Sequence, residues 1–268
     1  MKIGCCVSLW EGLALQLPAA GADYGEGGFS SLRDKTLEQV KSRAGQLAGA
    51  GLDTPVMNLL FPGDFQLTGP QAEFSTVDRY LEENLPKAAV FGVKTLVFGS
   101  GGARRVPEGF PQEEAFAQLV ELCRDHIAPA VEAQGMVCCL EPLQRGECNI
   151  LTSSQEAFQL VQAVGRPGVQ LLVDLFHFDL EQEPLSVISR YQGHLGHCHI
   201  ASARNHRLLP QPWDGEDYLP FFQALQSIGY PGRLSLEGDT RGGLHQLASS
   251  LAYVKELAPA SRLIIPKQ

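Results

Sequence analysis

The feature that most constrains the fold is an order of segments. A short apolar run followed by an amphipathic stretch recurs eight times from one end of the chain to the other. The apolar runs are residues 2–9, 22–27, 53–60, 93–100, 136–142, 169–176, 194–202 and 233–238; the second, ADYGEG, is the weakest because of its glycines. Helical patterning follows at 12–20, 32–51, 76–92, 111–135, 152–165, 184–191, 215–229 and 240–258. Gly51 ends the second of these, Pro86 predicts a kink in the third, Pro111 stands near the start of the fourth, and Thr152 or Ser153 caps the fifth. Strands that alternate with helices predict a parallel sheet. Eight of them in about 250 residues predict a closed cylinder, so the expectation is an α/β chain forming one (β/α)8 barrel domain over residues 1–268. An open doubly wound sheet is the rival. It would usually carry a glycine-rich turn after its first strand, where this chain has SLWEGL at 8–13.

Composition narrows the ligands. A hydrophobic content of 44% supports a sizeable core, and a net charge of −9 argues against a nucleic-acid backbone as the main partner. Seven cysteines include two adjacent pairs within apolar runs and no CxxC, which reads as small buried hydrophobes in a reducing compartment rather than a zinc–thiolate site. The N-terminal MKIGCCVSLW lacks a cleavable-signal layout, and no segment is long and apolar enough to span a bilayer. The expectation is a soluble, cytoplasmic protein with no membrane contact.

In a barrel of this kind the active site lies at the C-terminal ends of the strands. Four consecutive strands end in ligand-type residues: MVCCLEP in Glu141, QLLVD in Asp174, HCHIA with His199, and RLSLEG in Glu237. A lone glutamate there would ordinarily be a cap or ion-pair partner, and a lone strand histidine a core residue. Together, three buried carboxylates need a neutralising cation. A divalent metal supplies one; a network with Lys or Arg is the rival. Mostly oxygen donors with one imidazole suit Mn, Mg or Co, with Zn also compatible. His197 and His199 share a strand face; His199, nearer the end, is the expected ligand, His197 sits deeper, and His194 lies outside. His177, three residues after Asp174, is expected on the loop above, where it could donate to a substrate oxygen, unless it is merely an exposed loop residue.

The segments EPLQRGECN, VDLFH, HCHIA and LSLEG resemble the xylose isomerase-like barrels of the sugar isomerase/epimerase group, which includes ketose 3-epimerases, hydroxypyruvate isomerases and inosose-processing enzymes. The resemblance implies one divalent ion held by Glu141, Asp174, His199 and Glu237. It implies that Glu141 and Glu237 act as an acid/base pair on opposite faces of a small sugar or hydroxy-keto substrate. It also implies substrate contacts from Glu147, His177 and an arginine in ASARNHRLLP, with Arg207 or Arg204 as the candidates. Gln144 stands where many relatives carry Asn, which bears on substrate identity. Dimers or tetramers are common in that group, so a homo-oligomer is an expectation of the resemblance alone.

Chemically, a proton on a carbon beside a carbonyl can be removed when a cation offsets the charge of the resulting enediolate. Its return to the opposite face of that carbon is epimerisation; its return to the adjacent carbon is aldose–ketose isomerisation. An inosose-type dehydratase uses the same enolate logic. An apurinic endonuclease would need more metal ligands and a basic surface, and a non-catalytic sugar-binding barrel would not need the paired glutamates. SGGARR (100–105) reads as a phosphate cradle or, as the plainer alternative, an exposed basic loop; EGDTRGG (237–243) raises the same question at the last helix. Trp10, Phe61 and Trp213 are candidate apolar walls or rim packing.

Overall fold

The computed structural model describes residues 1–260, with side chains through 258; residues 261–268 of the expected domain lie outside the described residues. Eight parallel strands close into a barrel in sequence order: β1 (Lys2–Cys6), β2 (Tyr24–Gly28), β3 (Val56–Asn58), β4 (Thr95–Phe98), β5 (Val137–Leu140), β6 (Val169–Asp174), β7 (Leu195–Ile200) and β8 (Arg233–Leu236). β8 pairs back onto β1, with Ile3 opposite Leu234 and Cys5 opposite Leu236. The outer layer comprises α1 (Leu37–Gly49), α2 (Phe74–Val90), α3 (Gln112–Glu121), α4 (Ala128–Ala133), α5 (Ser154–Val164), α6 (Leu175–Leu180), α7 (Leu219–Ser227) and α8 (Gly243–Ala260). Among the described residues no helix is long and apolar enough to cross a membrane.

Local chemistry sets the boundaries. Thr36 and Gln39 cap α1 reciprocally. Ser153 accepts from the Glu156 backbone to start α5, and Gly165, at φ 62°, turns the chain off its end. The strand rich in glycine forms because its residues alternate: Tyr24 and Glu26 are buried side chains within it, while a Cβ at Gly27 would sit 2.3 Å from Leu9. Gly27 therefore lets the loop after β1 close onto β2.

Three expectations are corrected. The run 111–135 is helical without a break from Gln112 to Ala133, but not α throughout: α3 widens into π-type turns over Leu122–Ile127 before α4. Pro129 lacks a backbone N–H just past that widening, so the ladder is interrupted there. The apolar run 169–176 splits at Asp174, and Leu175 and Phe176 open α6 rather than extend β6. The segment 184–191 is a run of tight 3-10 turns.

Two apolar volumes result. The larger lies between strands and helices. The smaller fills the cylinder with Tyr24, Val56, Val97, Cys139 and Leu172. Tyr24 fits because β1 carries Gly4 beside it: a Cβ there would lie 2.5 Å from the ring. Gly4→Ala is expected to overpack the cylinder and cost about 1–3 kcal/mol, read as a lower urea midpoint with unchanged slope. An unaltered midpoint would mean the ring has room to move.

Candidate active site

Glu141 follows β5, Asp174 ends β6, His199 lies near the end of β7, and Glu237 follows β8. One donor atom from each lies within 4.8 Å of the other three. Register explains the common level: Asp174 pairs with His199, and His199 with Ser235 two residues before Glu237. Asp174 and His199 are fully buried, and Glu141 nearly so. The two oxygens of Asp174 are treated differently. Oδ1 accepts from the Phe176 backbone N–H at 2.9 Å and caps α6, whereas Oδ2 is buried without a hydrogen-bond partner. The strand ends at this aspartate because its side chain starts the helix and keeps one oxygen for the site.

His199 is clamped from both sides. Nδ1 lies 3.0 Å from Glu141 Oε1 and 3.4 Å from Glu237 Oε2, and Nε2 lies 3.0 Å from Glu26 Oε1. The other Glu26 oxygen lies 2.9 Å from His197 Nε2 and accepts from Ser235 Oγ at 2.5 Å; that hydroxyl in turn meets the Tyr24 hydroxyl at 2.7 Å. Glu26, fully buried on β2, is the functional candidate that the sequence reading missed. Its signal was one carboxylate within a strand otherwise made of tyrosine and glycine. A carboxylate on Nε2–H orients the ring and leaves Nδ1 facing the quartet. His197 lies deeper, as expected, and His194 packs on Phe158 away from the site.

At the rim, His177 is buried in α6, correcting the expectation of a loop position. Its Nδ1 accepts from the Gln144 backbone N–H at 3.1 Å, which places the ring proton on Nε2. That nitrogen has no hydrogen-bond partner and stands 3.6 Å from Asp174 Oδ2. Of the two arginine candidates, Arg207 enters the site and Arg204 does not; Arg204 is held near Glu216 and Gly215. Arg207 Nη2 donates to Glu237 Oε2 at 2.5 Å, Nη1 lies 3.2 Å from Glu147 Oε1, and the guanidinium stacks over Phe176 at 4.7 Å. His206 and Arg207 both adopt left-handed backbone, at φ 54° and 63°. This costs on the order of 1–3 kcal/mol per residue. Contacts that hold the turn are Arg207 N–H to Ser202 O and Asp239 N–H to Arg207 O.

The charge balance favours a cation. Burial, then the charges of Glu237 and Glu141, push Asp174 up to about 8. Burial and Glu237 also raise Glu141. Burial alone would raise Glu237, but His199 and Arg207 hold it down at about 2. Burial keeps His177 neutral, at about 3, with Arg207 adding to the effect. Arg207 is the arginine that the rival ion-pair reading requires, yet at 3.9 Å it makes only a long ion pair with Asp174 Oδ2 and leaves that oxygen without a hydrogen bond. An orphaned buried carboxylate oxygen amid three oxygen donors and one imidazole fits a divalent ion.

A cavity of about 520 Å³ is lined among others by Cys6, Trp10, Ser30, Arg33 and Asn58, and by none of the four quartet residues. Asn58 donates to Glu237 Oε1 at 3.1 Å and so joins cavity to quartet. Trp10 is a wall here, whereas Phe61 is buried against Phe65, Tyr80 and Phe98, and Trp213 is 67% exposed. SGGARR is not wholly an exposed basic loop: Gly102 and Arg105 are exposed, but Arg104 is fully buried and donates to the backbone carbonyls of Phe98 and Glu141 at 2.9 and 2.7 Å. The side chain of Arg104 serves the scaffold. It is a clip fixing β4 to β5 beneath Glu141.

A family model described as the xylose isomerase-like TIM barrel matches residues 15–257. The chain is 32% identical to the D-psicose 3-epimerase of Ruminiclostridium cellulolyticum over 46% of its own length and 41% of that enzyme, so the match spans less than half of that relative. It is 28% identical to the putative hydroxypyruvate isomerase of Homo sapiens over 87% of this chain and 89% of that protein. A solved D-psicose 3-epimerase, crystallised in the presence of D-fructose, superposes with a TM-score of 0.85 at 19% identity, covering 96% of this chain and 99% of that one; at that identity it is the fold that is shared.

Two outcomes are expected. Glu26→Gln removes the charged acceptor behind His199 and should weaken divalent-ion binding about 10–100-fold, by calorimetric titration of a variant with native circular dichroism; unchanged affinity would detach Glu26 from the site. The second concerns pH. Asp174 holds its proton in the folded state up to about 8 but releases it near 3.8 when unfolded, so rising pH drains stability across that interval. His177 acts oppositely, only below its unfolded value of 6.5. Ion-free protein should therefore lose melting temperature from about pH 6.5 to 8, and excess manganese should flatten that slope. A flat ion-free profile would mean that Asp174 is ionised without a cation.

Proposed function

Because this chain belongs to the xylose isomerase-like TIM barrel family, we propose that it is a divalent-metal-dependent sugar isomerase or epimerase, with Glu141 and Glu237 as its acid/base pair. The observation that carries this reading is the quartet itself: four donors gathered within 4.8 Å, one oxygen of Asp174 buried without a hydrogen-bond partner. Relatives named as psicose and ribulose 3-epimerases and hydroxypyruvate isomerases support ketoses and related hydroxy-ketones as the substrate class.

Glu141, Asp174, Glu237 and the Nδ1 of His199 would hold the ion, with manganese, magnesium, cobalt and zinc all suited to the set. When bound, the ion would offset negative charge developing on the substrate's carbonyl oxygen. The protein does the proton work. Glu237, held ionised beside Arg207 and His199, takes the proton from the carbon next to the carbonyl, leaving an enediolate. Glu141, raised by burial, is suited to hold and return a proton on the other face. Environments that drive two carboxyls apart are what an acid/base pair needs. Neutral His177 presents Nε2–H to a substrate oxygen, and Glu147 with Arg207 closes the rim. Return to the opposite face gives the epimer; return to the next carbon gives the isomer.

The test is solvent exchange. Full-length protein reconstituted with manganese is incubated in D2O with ketohexoses, ketopentoses, hydroxypyruvate and inososes, and deuterium at the carbon beside the carbonyl is read by NMR. Wild type should exchange at least one of these. Glu141→Gln and Glu237→Gln should each lose about 10²-fold or more, and chelation should abolish exchange until manganese returns. Undiminished exchange in either variant would overturn the assignment, and loss of water from an inosose would move the reading to a dehydratase.

A further inference from the structure

A second ligand set sits behind the quartet. The Cys6 thiol, a Glu26 carboxylate oxygen and an imidazole nitrogen of His199 all lie within 4.8 Å of one another. Glu26 Oε1 is 3.0 Å from His199 Nε2, the nitrogen facing away from Glu141 and Glu237. Cys6 is the one half-buried cysteine of the seven, and it is among the residues that line the 520 Å³ cavity.

We propose that Cys6, Glu26 and His199 Nε2 form a separate site for thiophilic divalent ions, of which cadmium and zinc are the chemical type, and that its occupation disables the quartet. The donor sets differ in kind: three carboxylates and one imidazole on one side, a thiolate, a carboxylate and an imidazole on the other. Soft ions favour the second, and hard ions the first. Both need His199. An ion on Nε2 takes that lone pair, so the ring proton shared with Glu26 moves to Nδ1, where it is donated to Glu141, 3.0 Å away. That removes the quartet's only nitrogen donor. The Cys6 thiol proton leaves as the dication binds sulfur, and no oxidation is involved. The site stands on its own geometry; the competition rests on the quartet reading above.

Metal-stripped full-length protein is titrated with cadmium while the ultraviolet thiolate-to-cadmium charge-transfer band is followed. One equivalent should saturate the band. Cys6→Ser should abolish it, and Glu26→Gln should weaken binding by about tenfold or more, both with native circular dichroism. Preloading with manganese should shift the cadmium titration to higher concentration. Absence of the band in wild type, or its survival in Cys6→Ser, overturns the site. A Cys6-dependent band that bound manganese leaves unmoved keeps the site and overturns the competition. Failure of manganese to bind at all, beside an intact band, counts against the quartet reading alone.

Discussion

The constraint on which the site depends is like charge held together out of water. Glu141, Asp174 and Glu237 converge at one end of the cylinder, and Glu26 lies just beneath. Carboxylates so placed repel one another and lose solvation, so the fold must neutralise or protonate them. It does both incompletely. His199 and Arg207 hold Glu237 ionised, while burial and its neighbours leave Asp174 up at about 8 with one oxygen lacking a hydrogen bond. The remaining deficit is positive charge, beside Asn58, which also lines the cavity. A chain built only for stability would have filled that place with apolar side chains, because a buried ionic cluster seldom outperforms them.

Much of the surrounding structure serves to keep the frustrated cluster in place. Arg104, a fully buried guanidinium, donates to two backbone carbonyls, of Phe98 and Glu141, and lies over the Phe98 ring at 5.6 Å. The turn carrying Arg207 accepts two left-handed non-glycine residues, and backbone bonds to Ser202 and Asp239 hold it there. Asp174 has its rotamer set by capping α6, whose first turn also delivers His177. Such supports matter because a catalytic group misplaced by an ångström loses much of its effect.

The legible and illegible parts of this molecule divide along a physical line. Segment order and hydrophobic period are local properties, so eight strands and their closure could be read from one dimension. The strand-end residues were legible for the same reason, since a polar residue closing a buried run is a local anomaly. Glu26 was not: its strand is mostly glycine, and its partners His197, His199 and Ser235 come from the opposite end of the chain, brought alongside only by barrel closure. Arg104 was misread because an arginine after two glycines looks exposed, and only the fold supplies the carbonyls that bury it. The start of α6 was missed because Leu171–Phe176 is nearly continuous in hydrophobicity, and the break is made by one side-chain hydrogen bond.

The position of Glu26 changes how the histidine should be regarded. A ring lying between carboxylates on both nitrogens is not a fixed donor; its behaviour depends on which side holds the proton. With Glu26 accepting from Nε2, the lone pair of Nδ1 is directed at Glu141, Glu237 and whatever cation joins them. The hydrogen-bonded series Tyr24, Ser235, Glu26, His197 then reads as the anchor of that choice: each member is buried, so a change in any one passes to the ring rather than to solvent. On the reading proposed above, the metal preference of the quartet would be set partly by residues that do not belong to it, on strands β2 and β8 and on the deeper part of β7.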